Sequence, residues 1–162
     1  MNNEDGAEGY AELGEEIWQQ TRGRADALVH TVSTAHSLHG MSRALRRHKA
    51  VLPVYAVKPA ESAVLSGQHP GSHKIEGIGL GFVPPLWHPD EVTEILTVST
   101  EDAKAMARRL AREEAIFAGT STGANIVAAL RIAVRLGQGK TVATLIIDSG
   151  LRYLSTDVFR NP

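Results

Sequence analysis

The chain has 162 residues, of which 43% are hydrophobic and 22% charged, and its formal net charge is −1. These values predict one globular domain with a buried core, and they argue against a nucleic-acid or anionic-membrane partner. The absence of cysteine excludes disulfides, thiolate metal sites and a cysteine nucleophile. No apolar run reaches the roughly 18 residues of a membrane span, and residues 1–6 are not typical of a signal peptide, so a cytoplasmic protein is expected.

Residues 1–9 are polar and contain two glycines, which predicts a flexible N-terminal segment before a domain over residues 10–160. Apolar side chains at helical spacing predict a helix over residues 10–21. The short apolar run at 25–32 (ADALVHTV) predicts a buried strand. A turn over 33–40 is predicted to lead into a helix over about 41–48, and a second strand over 53–57 is closed by Pro59.

Residues 59–92 are irregular and dense in proline, glycine and histidine, and a connection of this length is often functional. A third strand is predicted over 94–98. Ser99 then caps a helix to about residue 114, with Asp102 as the acidic partner of a capping box. A very short strand over 116–118, a turn over 119–123, an apolar helix over 124–136 and a last strand over 141–147 complete the prediction.

The alternation of short apolar strands with helices predicts an α/β fold with three α/β/α layers and a mainly parallel sheet. Ligands of such sheets bind beyond the carboxyl ends of the strands. Four segments should gather there: residues 33–37, 58–60, 119–123 and 148–150. Two of them are small, hydroxyl-rich turns that open helices, which predicts a site for an anion such as phosphate.

Seven segments carry a family resemblance, in order and at near-family spacing. They are residues 14–18 (GEEIW), 25–40 (ADALVHTVSTAHSLHG), 59–67 (PAESAVLSG), 73–79 (HKIEGIG), 107–114 (ARRLAREE), 119–124 (GTSTGA) and 148–156 (DSGLRYLST). Together they resemble cysteine synthase (O-acetylserine sulfhydrylase) and its relatives in the tryptophan-synthase-β-like group, the pyridoxal-phosphate enzymes of fold type II. The resemblance covers nearly the whole chain and implies part of that fold.

The resemblance implies pyridoxal 5′-phosphate as the cofactor. In that family the turn after the first of these strands cradles the cofactor phosphate, which here assigns Ser33, Thr34, Ala35, His36 and Ser37. The family usually has Gly-Thr-Gly-Gly-Thr, so three glycines are replaced while Thr34 and Ser37 keep their hydroxyl groups. Because glycine lets the backbone approach a phosphate closely, His36 is expected to point outward.

The serine of the family's Gly-x-Ser-x-Gly turn, here Ser121, is expected to hydrogen-bond the pyridine nitrogen. A neutral partner keeps the ring a weak electron sink, which suits β-elimination and β-replacement on a serine-derived amino acid. Gly77 and Gly79 are expected in the loop at the mouth of the active site.

The family's Schiff-base lysine lies upstream of every matched segment, so the chain is interpreted as the C-terminal half of such an enzyme. None of the five lysines has the right sequence context, and Lys58 is interpreted as a surface strand end; the five are Lys49, Lys58, Lys74, Lys104 and Lys140. The isolated chain is therefore expected to be inactive. Its expected partners are a small amino-acid substrate and either a complementary N-terminal half or a second copy.

Alternatives remain open at this point. The chain is a gene fragment or half of a split enzyme; a non-catalytic binding or interaction module derived from the fold; or a truncated product without a stable fold. No metal site is predicted, because the histidine pairs His36/His39 and His69/His73 lack cysteine or a matching carboxylate motif. A hydrolase elbow at 119–123 is rejected, because no histidine follows His88.

Overall fold

The chain stacks helices on both faces of one sheet, as a computed structural model that describes residues 4–160 shows. Helices and strands follow in the order α1 (Glu4–Glu8), α2 (Ala11–Gln20), β1 (Ala25–Thr31), α3 (His36–His48), β2 (Val54–Pro59), β3 (Glu94–Val98), α4 (Thr100–Glu113), α5 (Thr120–Leu136) and β4 (Thr141–Ala143). Short 3-10 turns lie at Ala60–Ser62, Val64–Ser66, Pro89–Glu91 and Gly150–Tyr153.

The four strands are parallel and lie in the order β3-β2-β1-β4. Val29 of β1 pairs with Tyr55 of β2, and Val57 of β2 pairs with Leu96 of β3. A parallel pair needs a crossover that returns the chain to the same end of the sheet. Helix α3, the loop over 60–93 and the pair α4 and α5 supply these crossovers, so all four strands end at one edge.

Successive residues of β1 face opposite helix layers. Leu28 packs in one apolar cluster with Met41 and Leu45 of α3, whereas Val29 packs in a second cluster with Ile132 of α5. Burial on both faces explains why β1 is a continuous apolar run rather than an alternating one. The predicted three-layer α/β/α architecture is confirmed.

Most predicted elements are confirmed within a few residues. The third strand has the predicted bounds, Glu94–Val98, and helix α2 lies inside the predicted range 10–21. The predicted cap at Ser99 is present, since its side chain accepts the backbone N–H of Asp102 at 3.1 Å.

The predicted last strand over 141–147 is wrong beyond Ala143. The backbone that follows is bonded to side chains of α5 instead of to β1: Asn125 Nδ2 donates to the Leu145 carbonyl at 2.9 Å, and the Ile147 N–H donates to Thr122 Oγ1 at 3.0 Å. These bonds divert the chain out of the sheet while satisfying its backbone groups.

Two predicted turns are shorter than expected, because the helices after them begin earlier. Helix α3 starts at His36, directly after Ala35 turns the chain with a left-handed φ of 71°, and α5 starts at Thr120 after Gly119. The predicted strand over 116–118 is reduced to one antiparallel bridge between Ala118 and Ser149.

The N-terminal segment contains an unexpected helix. Of residues 1–9, predicted to be flexible, the first three lie outside the described residues and Glu4–Glu8 forms α1. Ala7 is buried, and a Cβ on Gly40 would lie 2.1 Å from the Ala7 carbonyl oxygen, so α1 packs closely on α3.

The domain limits of 10–160 stay a prediction. Within residues 4–160, no helix combines the length and apolar character needed to cross a membrane.

The interpretation of Lys58 as a surface residue is wrong, because its side chain is 0% exposed. Strand β2 is interior, between β1 and β3. The Nζ atom donates to the Val32 carbonyl at 3.3 Å, and no salt bridge to a described carboxylate is formed. Burial lowers the pKa of Lys58 to about 8, since desolvation disfavours the ammonium ion.

We expect Lys58→Met to stabilise the fold by about 1–2 kcal/mol at pH 7. The lowered pKa corresponds to a penalty of roughly 3 kcal/mol for the folded ammonium form. Solvent screening near the end of the strand makes the real penalty smaller. The gain is complete below pH 8 and vanishes above pH 10.5, where the unfolded lysine has also lost its proton. Urea unfolding at pH 7 and 10.5 measures it, with Lys74→Met, whose side chain is 71% exposed, as control. A less stable variant at pH 7 would contradict this account.

Candidate functional site

A cavity of about 400 Å³ lies at the edge of the sheet where the strands end. Its walls are the end of β1, the turn that follows, the loop around Gly77, the first turn of α5 and the segments that carry Asp148 and Tyr153. Three of the four segments predicted to gather at this edge therefore meet in one cavity. The fourth, residues 58–60, does not line it.

A larger cavity of about 670 Å³ lies beside α3 but contains none of the predicted site residues. Arg46 on its wall already donates to the carbonyl oxygens of Leu52 and Glu91, and His39 contacts the Glu91 carboxylate at 2.6 Å. These polar groups are engaged within the fold, so the smaller cavity is the candidate site.

The turn between β1 and α3 presents hydroxyl groups to the cavity. Ser33, Thr34 and Ser37 line it, at the N-terminus of a 13-residue helix. Backbone N–H groups and the positive end of the helix dipole favour an anion at such a position. Ala35 holds the left-handed φ of 71° that glycine adopts more readily, at a cost of roughly 1 kcal/mol.

Three residues of the turn replace glycines of the family. Ser33 lines the cavity, whereas Ala35 and His36 do not. The ring of His36 lies against α1, where a Cβ on Gly6 would be 2.8 Å from it, and its Nδ1 is 2.8 Å from Thr34 Oγ1. The imidazole thus lies outside the cavity and engages the hydroxyl group of a residue that lines it.

Three polar atoms on the cavity wall have no hydrogen-bond partner among residues 4–160. They are Ser121 Oγ, on a residue 3% exposed, and the buried Thr31 Oγ1 and Asp148 Oδ1. Buried polar groups are nearly always hydrogen-bonded, and each one left unpaired costs about 1–3 kcal/mol. All three residues line one cavity, and the Ser121 hydroxyl is available to a polar ligand there.

Both glycines of the Gly-x-Ser-x-Gly segment are required by packing. A Cβ on Gly119 would lie 2.3 Å from Asp148 Oδ1 and 2.4 Å from the Tyr153 ring, and a Cβ on Gly123 would lie 2.0 Å from the Ala103 carbonyl oxygen. Since neither place admits a side chain, the first turn of α5 can approach both the cavity wall and α4. Ser121 is held between these two contacts.

Tyr153 and Asp148 form a hydrogen-bonded pair on the wall. The phenol donates to Asp148 Oδ2 at 2.8 Å, and the buried Oδ1 has no partner among residues 4–160. Burial, reinforced by the neighbouring carboxylate, raises the pKa of Tyr153 to about 12. The phenol therefore stays a donor at neutral pH and holds the carboxylate in place.

His30 lies behind the turn, at 4% exposure, with its Nε2 2.9 Å from Ser37 Oγ. On its other side, Nδ1 lies 3.5 Å from Asn125 Nδ2. Burial lowers the pKa of His30 to about 4, so the ring is neutral at pH 7.

The loop glycines are split between two environments. Gly77 lines the cavity, whereas Gly79 does not; its N–H donates to the Val32 carbonyl at 3.5 Å, and its φ of 70° lies in the left-handed region that favours glycine. Five predicted residues thus meet at one site: Ser33, Thr34, Ser37, Gly77 and Ser121. Their individual roles stay predictions.

Several wall residues are absent from the predicted site: Tyr10, His30, Thr31, Glu76, Ile78, Ile147, Arg152 and Tyr153. The sequence did contain a signal for His30, because an imidazole in the middle of an apolar strand needs polar partners. Asp148 falls in a segment placed at this edge from the sequence, although without a role. None of the five lysines lines the cavity.

The site fits a phosphorylated ring compound. The hydroxyl turn at a helix N-terminus suits a phosphate group, and the unpartnered Ser121 hydroxyl suits a ring nitrogen elsewhere in the same cavity. Pyridoxal phosphate combines both groups. Among residues 4–160, no cluster of three or more potential metal ligands is present.

Comparisons with known sequences agree with this fit. Residues 1–148 match the family of pyridoxal-phosphate dependent enzymes. Cysteine synthase 3 of Caenorhabditis elegans is 43% identical over 151 residues, which are 93% of this chain and 45% of that protein. A cysteine synthase of Staphylococcus aureus is 41% identical over 147 residues, 90% of this chain and 47% of that protein. The chain spans about half the length of these relatives.

Solved structures agree in fold over the same extent. O-acetyl serine sulfhydrylase isoform 3 from Entamoeba histolytica superposes with a TM-score of 0.94 at 40% identity, over 99% of this chain and 48% of that one. The O-acetylserine dependent cystathionine beta-synthase from Helicobacter pylori gives 0.92 at 33% identity, over 97% and 51%. With the family match over residues 1–148, these likenesses show that the chain belongs to the pyridoxal-phosphate dependent enzymes and has part of the fold of its cysteine-synthase-like, fold type II members.

Proposed function

We propose that this chain is the cofactor-binding half of a cysteine-synthase-like enzyme, acting by β-replacement or β-elimination on a serine-derived amino acid. The observation that carries the proposal is one cavity lined both by a hydroxyl-rich turn and by Ser121, whose hydroxyl has no partner among residues 4–160. The turn over residues 33–37 receives the phosphate of pyridoxal phosphate, and Ser121 receives the ring nitrogen.

The chemistry of this cavity follows from these contacts. Bound pyridoxal phosphate withdraws electrons from the α-carbon of an amino acid. Ser121 offers the ring a neutral hydroxyl partner, which keeps that withdrawal modest and suits loss of a β-substituent. The backbone at Gly77 lines the mouth, where it leaves room for the amino acid.

A lysine must reach the cavity from another polypeptide segment, because none of the five lysines in this chain lines it. That lysine would hold the cofactor covalently and remove the substrate α-proton. A complementary half provides it in our proposal, and a second copy of this chain does not. The isolated chain is therefore proposed to bind the cofactor without turning over substrate.

Binding is tested by titrating the chain with pyridoxal phosphate and following tryptophan fluorescence. Thr34→Ala combined with Ser37→Ala should weaken binding about tenfold or more, because hydrogen bonds to a charged group are lost. The matched control is Ser66→Ala combined with Ser72→Ala, two exposed hydroxyls outside the cavity. Binding that survives the first double change would remove the turn from the site.

Activity is tested by a sulfide-dependent cysteine assay with O-acetylserine and added cofactor. The isolated chain should show no turnover, and a separately produced lysine-bearing half from a relative should restore it on mixing. Turnover by the isolated chain near that of an intact enzyme would overturn the proposal that the lysine comes from elsewhere.

A non-catalytic binding module is the second candidate, and the altered turn favours it. His36 engages the Thr34 hydroxyl at 2.8 Å, and Ala35 carries a conformation that glycine adopts more readily. Both changes weaken the cradle relative to the usual glycine-rich turn. Cofactor binding without restoration of activity by any complementary half would favour this candidate.

A further inference from the structure

We propose that His30, held by Asn125, fixes the Ser37 hydroxyl as a hydrogen-bond donor toward the phosphate group of a ligand in the cavity. The inference rests on the proposed function, since it names how the phosphate would be held. His30 acts through Ser37 and is a positioning residue, without contact to the reacting atoms.

The hydrogen bonds of the Asn125 side chain fix the orientation of its amide. Its Oδ1 accepts the backbone N–H of Thr31 at 2.7 Å, and its Nδ2 donates to the Leu145 carbonyl at 2.9 Å. A backbone N–H only donates and a carbonyl only accepts, so both contacts assign the same orientation. Asn125 is 0% exposed, which holds the amide in place.

The His30 tautomer follows from that orientation. The second N–H of Asn125 Nδ2 faces His30 Nδ1 at 3.5 Å, which favours Nδ1 as the acceptor and places the ring proton on Nε2. The ring is neutral because burial lowers the pKa of His30 to about 4. His30 Nε2 therefore donates to Ser37 Oγ at 2.9 Å.

The consequence falls on Ser37, whose oxygen is occupied as an acceptor. Its own hydrogen is then free to point into the cavity that Ser37 lines. Phosphate oxygens only accept hydrogen bonds, so a hydroxyl committed to donation is the useful partner. With the opposite tautomer, Ser37 would donate to the imidazole and present only lone pairs to the phosphate.

The turn needs such a donor more than a glycine-rich one would. His36 Nδ1 is 2.8 Å from the Thr34 hydroxyl, so one of the three hydroxyl-bearing residues of the turn that line the cavity is already engaged. The unpartnered, 3% exposed Ser121 hydroxyl on the same cavity is independent of the turn and also points to a ligand there. An ordered hydrogen-bond donor at Ser37 offsets part of the phosphate binding that the turn loses where its glycines are replaced.

The test measures dissociation constants for pyridoxal phosphate and for pyridoxal, which lacks the phosphate. His30→Leu and Ser37→Ala should each weaken pyridoxal phosphate about tenfold, and the double variant should be no weaker than Ser37→Ala alone. Pyridoxal affinity should stay unchanged throughout. His30→Gln, which keeps a donor N–H, should restore most of the loss, and His69→Gln on an exposed loop is the control.

A purely structural role for His30 predicts other results. His30→Leu would then weaken both ligands equally, or its effect would add in full to that of Ser37→Ala, and either outcome overturns the inference. Nitrogen-15 NMR of the imidazoles in the unchanged chain reports the tautomer without any ligand. An Nδ1-protonated His30 would overturn the inference even if the cofactor binds.

The two proposals fail in distinguishable ways. If the chain binds neither compound, the proposed function fails. The inference is then decided by the His30 tautomer together with a titration with inorganic phosphate. An Nε2-protonated ring and a phosphate-dependent shift of the Ser37 amide would support it, whereas no shift would overturn it.

Discussion

Gly123→Ala is expected to destabilise the chain by about 3 kcal/mol, although alanine is the better helix former. In an open helix this change would stabilise by about 1 kcal/mol. Here the added Cβ would lie 2.0 Å from the Ala103 carbonyl oxygen and 3.1 Å from the Ala107 nitrogen. The obstacle is backbone, so α4 and α5 must move apart and loosen the apolar cluster beneath them, which costs several kcal/mol.

Urea unfolding at pH 7 measures this change, with Gly9→Ala as the matched control. A Cβ on Gly9 would meet its nearest neighbour at 3.7 Å, an ordinary contact, so that variant should stay within about 0.5 kcal/mol of the parent. An unchanged or stabilised Gly123→Ala protein would mean that the two helices do not cross as closely as described.

The same contact links stability to the site. Gly123 closes the segment that holds Ser121, and the segment opens at Gly119 against Asp148 and Tyr153. A shift of α5 away from α4 would therefore move the Ser121 hydroxyl relative to the turn over residues 33–37. Any folded Gly123→Ala protein should bind pyridoxal phosphate more weakly as well, whereas Gly9→Ala should not.

Where local pattern controls structure, the sequence was sufficient to predict it. The strand Glu94–Val98 and the cap at Ser99 depend on apolar spacing and on neighbours within three residues. The gathering of Ser33, Ser37 and Ser121 at one cavity follows from a rule about parallel sheets, which needs only the order of the strands.

Contacts between distant parts of the chain account for what could not be predicted. The early end of β4 depends on Asn125 and Thr122 taking the backbone of residues that follow it. The burial of Lys58 depends on β2 lying inside the sheet, against the usual exposure of lysine. The partners of His30 lie 7 and 95 residues away in sequence, and no local pattern brings all three together.

Acidification from pH 7 to pH 4 is expected to cost the chain about 3 kcal/mol through His30 alone. Burial lowers the pKa of His30 in the folded state from its usual 6.5 to about 4, whereas the unfolded chain keeps the usual value. Between these values the unfolded state binds the extra proton, so stability is complete above pH 6.5 and falls as the pH drops towards 4. Because proteins typically have a free energy of unfolding of about 5–15 kcal/mol, a loss of about 3 kcal/mol is a large share of it.

The contribution of His30 is isolated by comparison with His30→Gln, which keeps a hydrogen-bond donor and cannot titrate. Urea unfolding at pH 7 and pH 4 should show the parent losing about 3 kcal/mol more than the variant, since carboxylates such as Asp26 affect both equally. His69→Gln, on an exposed loop, should follow the parent. Equal losses in the parent and in His30→Gln would show that the imidazole is solvated or already charged in the folded chain, which would contradict its burial between Ser37 and Asn125.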